Sequence, residues 1–189
     1  MNEVQIRIDL PAWAVEWERT IRQFGSDEAR MRVAIELARE NVARETGGPF
    51  GAALFETESG RLVAVGVNSV VRLTNSTLHA EMIVFMRAQA RVGRYTLGAP
   101  GLPPYALYAS CDPCGMCLGA TLWAGVRRVF CAATRDDAEA LGFDEGPVFP
   151  ESYEYLERRG ILVEHGLLRD ASKEVLESYR RGGGVIYSQ

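Results

Sequence analysis

Histidine is scarce in this chain and cysteine sparse, at two and four of 189 residues. Four cysteines are too few to serve as a disulfide framework, and a chain of this length buries roughly 70% of its unfolded surface, so stability is expected from a core rather than from staples. No apolar run approaches the roughly 20 residues needed to cross a bilayer, and no signal-peptide pattern opens the chain. These absences predict a soluble protein of the reducing cytoplasm with no membrane partner. Concentrated positive charge is also missing. Twenty-one basic residues stand against 25 acidic ones for a net charge of −4, and the arginine pairs at 127–128, 158–159 and 180–181 read as solvated element ends. A protein that tracks a phosphate backbone needs a dense positive stripe, because counterion release supplies much of the affinity. No nucleic-acid partner is expected. Internal repeats and low-complexity segments are absent as well.

What remains reads as an α/β chain, one domain over residues 1–189 with an amino-terminal extension at 1–25 and a flexible carboxy-terminal tail at 182–189. The extension holds a short alternating stretch at 4–10, then Pro11 and an aromatic segment in which Trp13 and Trp17 share a helical face. Ser26 suits a helix N-cap before residues 29–45, where Met31, Ile35, Ala38 and Val42 recur at threes and fours. Strands at 50–56 and 62–71 flank a turn-rich connection at 57–61, which predicts a hairpin. A helix is expected over 80–92, a glycine- and proline-rich loop over 93–104 that can rim a pocket, a strand over 105–109, a helix to 124 and a strand over 126–132. Strand, helix, strand in that order implies a right-handed parallel crossover. Helices over 136–141 and 152–159, a strand over 161–164 and a helix over 170–180 complete the chain. The long link between the last two strands favours a parallel fifth strand.

Against that background, two short segments concentrate the chemistry: His79-Ala80-Glu81 and Pro113-Cys114-Gly115-Met116-Cys117. One histidine and two cysteines make three metal ligands, whereas a structural zinc normally takes four; three leave a corner for water. Pro113 suits the first position of a helix, which would set Cys114 and Cys117 on one face near a helix N-terminus that favours thiolates. Glu81 is then free to face the metal's water without ligating it. Cys111 and Cys114 form a second Cys-x-x-Cys, but Cys111 precedes the proline and belongs in extended backbone. Cys131 lies in an apolar run and reads as core, and His165, at a strand end, as a surface or capping residue. A redox pair or half of a structural zinc site remain the competing readings of the cysteines.

His-x-Glu followed by Pro-Cys-x-x-Cys is the established signature of zinc-dependent nucleobase deaminases, and from about Gly47 to Phe143 the chain resembles the cytidine and purine deaminase superfamily. Gly48-Pro49-Phe50-Gly51-Ala52, Asn68, the stretch 110–117 and the stretch 136–145 resemble bacterial guanine deaminases most. The resemblance implies a three-layer α/β/α fold with a five-stranded mixed sheet, order 2-1-3-4-5, the last strand parallel. It implies one zinc per chain on His79, Cys114 and Cys117, with water or hydroxide as fourth ligand, and Glu81 as proton-transfer base.

It further implies hydrolysis of guanine to xanthine and ammonia, with Glu145 as a second catalytic acid and Asn68 and the Ala80 N–H at the ring edge. Phe50 would lie on the ring face and Tyr187 would cap a site; Phe50 as plain core, Glu145 as a loop acid and a frayed tail are the alternatives. Guanosine, cytosine or an aminotriazine such as ammeline fit the same mechanism. A tRNA adenosine deaminase fits the motif but not the charge, and a non-catalytic zinc scaffold is a different class altogether. A homodimer is expected from the resemblance and from the aromatic amino-terminal helix.

Overall fold

The structure is a computed structural model that describes residues 6–20 and 23–187. The first two residues of the alternating stretch and the last two of the tail lie outside the described residues. Twelve elements follow one another: α1 (Ala12–Thr20), α2 (Asp27–Ala43), β1 (Gly51–Glu56), β2 (Leu62–Val67), α3 (Ala80–Val92), β3 (Tyr105–Cys111), α4 (Gly115–Ala124), β4 (Arg128–Ala133), α5 (Arg135–Glu139), α6 (Pro150–Arg158), β5 (Leu162–Glu164) and α7 (Arg169–Arg181). The strands form one five-stranded sheet in the order β2-β1-β3-β4-β5. β1 runs antiparallel to β2 and β3, while β3, β4 and β5 are parallel, as expected for a long final crossover.

Both faces of the sheet are buried, and the two-residue period of a strand divides its side chains between two cores. Ala53, Phe55, Ala106, Tyr108, Phe130 and Ala132 point to one face and pack with Met31, Leu37 and Val175 from α2 and α7. Ala52, Leu54, Leu107, Val129 and Cys131 point to the other and pack with Val84, Phe85, Leu118 and Leu156 from α3, α4 and α6. That is the three-layer arrangement.

Helix ends follow local chemistry. Ser26 accepts from the Ala29 N–H at 3.2 Å and starts α2, while Gly93 and Gly125, with φ of 66° and 78°, end α3 and α4. α5 opens on a capping box in which Thr134 and Asp137 satisfy each other's backbone N–H groups.

Several boundaries differ from the sequence reading. β1 and β2 span Gly51–Glu56 and Leu62–Val67, so Phe50 and residues 68–71 fall outside the sheet. α4 begins at Gly115 with Cys114 as its N-cap, which puts Pro113 before the helix rather than at its first position. An N-cap takes extended dihedrals, and Cys114 has φ −65° and ψ 171°. The loop at 93–104 is also misplaced by the sequence reading. It leads into the amino end of β3, where the Leu97 N–H donates to Ala124 and the Thr57 N–H to Pro104, so it cannot rim a site at the carboxyl ends. Finally, the aromatic face of α1 is already used: Trp13 and Trp17 pack against the chain's own core.

Candidate active site

The carboxyl ends of parallel strands leave a crevice where α/β sheets bind ligands, and the two chemical segments meet there. His79 is the N-cap of α3 and Cys114 that of α4; Cys117 lies one turn into α4. Gly66 in β2 permits the first contact, because a Cβ there would stand 2.2 Å from the carbonyl of Ala80. The resulting closeness of α3 and sheet sets His79 Nδ1 3.5 Å from Cys114 Sγ and 3.7 Å from Cys117 Sγ.

Those separations decide what the trio suits. Ligands held at about 2.0 and 2.3 Å on two corners of a tetrahedron stand about 3.5 Å apart, so one imidazole and two thiols at these distances fit zinc. Three ligands leave the fourth corner to water, the catalytic rather than the structural pattern. A second donor group, Asp112, Cys131 and His165, also has its ligand atoms within 4.8 Å of one another. There His165 Nδ1 and Asp112 Oδ1 are 2.7 Å apart, a hydrogen bond, and shorter than two ligands sharing a tetrahedral zinc, at about 3.4 Å. His165 is therefore an exposed residue, as read from the sequence, hydrogen-bonded to Asp112 and packed against Tyr153.

Beside His79 and Cys114 lies a narrow cavity of about 20 Å³ lined by Phe50, Asn68, His79, Glu81, Cys114, Glu145 and Tyr187, together with Asp112, Phe143 and Asp144. Glu81, on the first turn of α3, is 7% exposed, and Glu145, on the loop after α5, is 9% exposed. Burial pushes the carboxyl of Glu81 above its ordinary value and that of Glu145 up to about 8, with the charge of Cys114 adding to the latter. The thiol of Cys114 is pulled down to about 4 by hydrogen bonds from Cys117 and His79, while Cys117, donating to its neighbour, is raised. Burial opposes protonation of His79, but Cys114 and the two glutamates outweigh it and its pKa rises. A divalent cation at the trio would reverse this balance, taking both thiols to thiolates and drawing the carboxyls back down.

Asn68 is fully buried. Its Oδ1 accepts from the Val70 N–H at 3.3 Å, but its Nδ2 has no partner among the described residues, a buried donor facing the cavity. Asn41 holds it there by donating to the carbonyls of Asn68, at 3.0 Å, and Gly48, at 2.8 Å. Ala80 contributes no side chain to the cavity; its methyl is in the core, and only its N–H, unused at the first position of α3, is available.

Phe50 meets Phe143 edge to face at 5.1 Å and lines the cavity while touching the core. Tyr187 reaches the cavity because the glycines at 182–184 turn the chain back over Tyr179, whose hydroxyl donates to the Val185 carbonyl at 2.7 Å. Its ring lies 5.1 Å from Phe143 and 6.5 Å from His79.

Of the lining residues, Asp112, Phe143 and Asp144 were not singled out from the sequence, although the stretches 110–117 and 136–145 that hold them carried the resemblance.

A mixed sheet of this order, with a catalytic-type ligand trio and two buried carboxyls at its crevice, defines a zinc-dependent hydrolytic deaminase. Residues 25–133 match the cytidine and deoxycytidylate deaminase zinc-binding region, and the chain belongs to that family. It is 38% identical over 144 residues to the guanine deaminase of Bacillus subtilis (strain 168), covering 73% of this chain and 88% of the relative. The solved structure of guanine deaminase from Nitrosomonas europaea superposes with a TM-score of 0.90 at 45% identity, covering 96% of this chain and 98% of that one. A chain crystallised with 2,6-diaminopurine superposes with a TM-score of 0.91 at 47% identity, covering 96% of each.

Proposed function

We propose that this enzyme hydrolyses the free base guanine to xanthine and ammonia, with Glu81 and Glu145 as its proton-handling groups. The observation that carries the reading is the pair of buried carboxyls that line one cavity together with His79 and Cys114 of the three-ligand cluster. His79, Cys114 and Cys117 would hold the zinc, which when bound lowers the pKa of water from 15.7 to about 7. Glu81 takes the proton released as water adds to the ring carbon and returns it to the adjacent ring nitrogen. Glu145 accepts hydrogen bonds from the N1–H and the 2-amino group, which are neighbouring donors; as the adduct collapses to the C2 carbonyl it takes the proton of the new hydroxyl and passes it to the amine, which leaves as ammonia. A carboxyl raised to about 8 suits that exchange near neutral pH. Asn68 Nδ2 meets an acceptor on the ring edge, as does the Ala80 N–H, while Phe50 and Tyr187 enclose the ring faces.

Ammonia release measured across guanine, guanosine, adenine, cytosine, cytidine and ammeline tests the reading. Guanine should give the highest kcat/KM; a preference for any other substrate, or none turned over by zinc-loaded protein, overturns it. The net charge of −4 counts against a tRNA substrate.

The same reading makes the enzyme a cytoplasmic homodimer with one zinc per chain. No helix among the described residues is long and apolar enough to cross a membrane. An apolar groove lined by Leu118, Leu122, Phe149 and Tyr155, beside Trp123 at 78% exposure, supports pairing on α4 and α6. Sedimentation at several concentrations tests it; a monomer throughout overturns it.

A further inference from the structure

Glu145 has no regular secondary structure to hold it. The chain leaves α5 at Glu139 and enters α6 only at Pro150, and between them a catalytic acid must be kept within about 0.5 Å of its working position. The loop's own hydrogen bonds are short-range: the Gly146 N–H donates to Asp144 Oδ1 at 2.8 Å, and Gly146 takes a φ of 68°, a left-handed turn that glycine permits. Two ties reach further. The Glu145 carbonyl accepts from the Gly115 N–H at 2.9 Å, on the first residue of the cysteine helix.

The second tie is a side chain that touches neither the cavity nor the metal ligands. Arg135, the first residue of α5, sends its guanidinium back across the loop, donating from Nη2 to the Gly146 carbonyl at 2.9 Å and from Nη1 to the Val148 carbonyl at 2.6 Å. Its Nε donates to Glu139 Oε1 at 2.6 Å, which uses the third edge of the fork. The backbone of Arg135 is itself anchored, since its N–H donates to Asp112 Oδ2 at 3.1 Å and Asp112 Oδ1 is bonded to His165. A rigid planar fork thus spans the turn that begins one residue after Glu145, and its base is fixed to the strand end that leads to Cys114.

From this geometry we infer that Arg135 is a positioning residue for Glu145, setting its carboxyl against the substrate through the carbonyls of Gly146 and Val148. The inference rests on Glu145 serving as the second acid. Arg135 does not line the cavity; it reaches Glu145 through the loop's carbonyls and, at longer range, through its charge. A shift of about 1 Å in such a group costs on the order of a hundredfold in rate at the extreme, so a partial loosening is expected to cost roughly tenfold.

A double-mutant cycle on the zinc-loaded enzyme tests this, with zinc content and thermal midpoint measured for every variant. Arg135→Met, which keeps the length of the side chain but has no donor, should lower guanine kcat roughly tenfold with KM changed less than about twofold. Arg135→Lys, restoring one donor, should recover part of that loss. In a Glu145→Gln background, Arg135→Met should cost less than about twofold, because the group it positions is already disabled. Equal losses in both backgrounds, or a wild-type kcat for Arg135→Met, overturn the inference while leaving Glu145 in its role. Wild-type turnover by Glu145→Gln removes the underlying reading instead.

Discussion

A Cβ added to Gly48 would stand 2.5 Å from the hydroxyl of Tyr187. The glycine at the mouth of β1 is thus the seat on which the carboxy-terminal ring rests, and that hydroxyl is sealed from solvent without a hydrogen-bond partner among the described residues.

Gly48→Ala pushes against the far end of a side chain rather than against backbone, so the tail yields and the sheet does not. Guanine KM should rise roughly fivefold, the equivalent of about 1 kcal/mol of lost enclosure, with the thermal midpoint nearly unchanged. Truncation after Arg181 should give the same increase. Steady-state kinetics that match the wild type in both variants would show that Tyr187 has no part in binding.

Glu81→Gln and Cys117→Ser should fail in different ways. The first removes only a proton carrier, so the protein should keep its zinc and lose roughly 10² to 10⁴ in kcat. The second removes a thiolate, so metal content falls below one per chain and activity falls with it. Chelation of the wild type should abolish turnover and zinc should restore it. Elemental analysis beside ammonia assays separates the cases, and wild-type turnover by Glu81→Gln would remove Glu81 from the proton-carrying role.

Asn68 offers an amide N–H to the cavity and needs an acceptor opposite it. Asn68→Asp keeps the shape and the bond from the Val70 N–H but presents an acceptor in place of the donor. Binding should weaken by about 1–3 kcal/mol, roughly fivefold to 150-fold. Calorimetric titration with a non-hydrolysable purine analogue reads this directly; unchanged affinity would mean that the amide faces no ring atom.

Acid stability should depend on a residue outside the site. Asp137 caps α5 and accepts from Arg169 at 2.8 and 3.0 Å; this guanidinium, chiefly, holds its carboxyl well below the usual range. A depressed folded-state pKa contributes stability that is present above the unfolded value of about 3.9 and is lost as pH falls through the folded value. Asp137→Asn should therefore cost roughly 2 kcal/mol at pH 7, and the gap from wild type should narrow below about pH 4. Urea midpoints at pH 7 and pH 3 measure it; a pH-independent gap would assign the effect to capping alone.

The elements around the motif were legible because their patterns are local. The helix at 80–92 was read to the residue, since an apolar stripe leads to a glycine that takes the left-handed cap. The strand before Cys114 ran longer than expected, to Cys111, because pairing with β4 extends a ladder past the apolar run that first reveals it. The helix after Pro113 started later, because Cys114 took the cap. The loop at 93–104 looked like a pocket rim from its glycines and prolines alone, yet composition does not say at which end of a strand a loop sits.

What the chain's own order of residues determined was the proposed ligand set and its proposed base, His79, Glu81, Cys114 and Cys117, because helix starts and metal ligands obey short-range rules of spacing and residue type. Only the folded chain decided what surrounds them. Asn41 beneath Asn68, Tyr187 on Gly48 and Arg135 behind Glu145 are meetings between distant segments, made where a mixed sheet brings the strand ends together. No periodicity within a segment records such partners, since each is set by the packing of the whole.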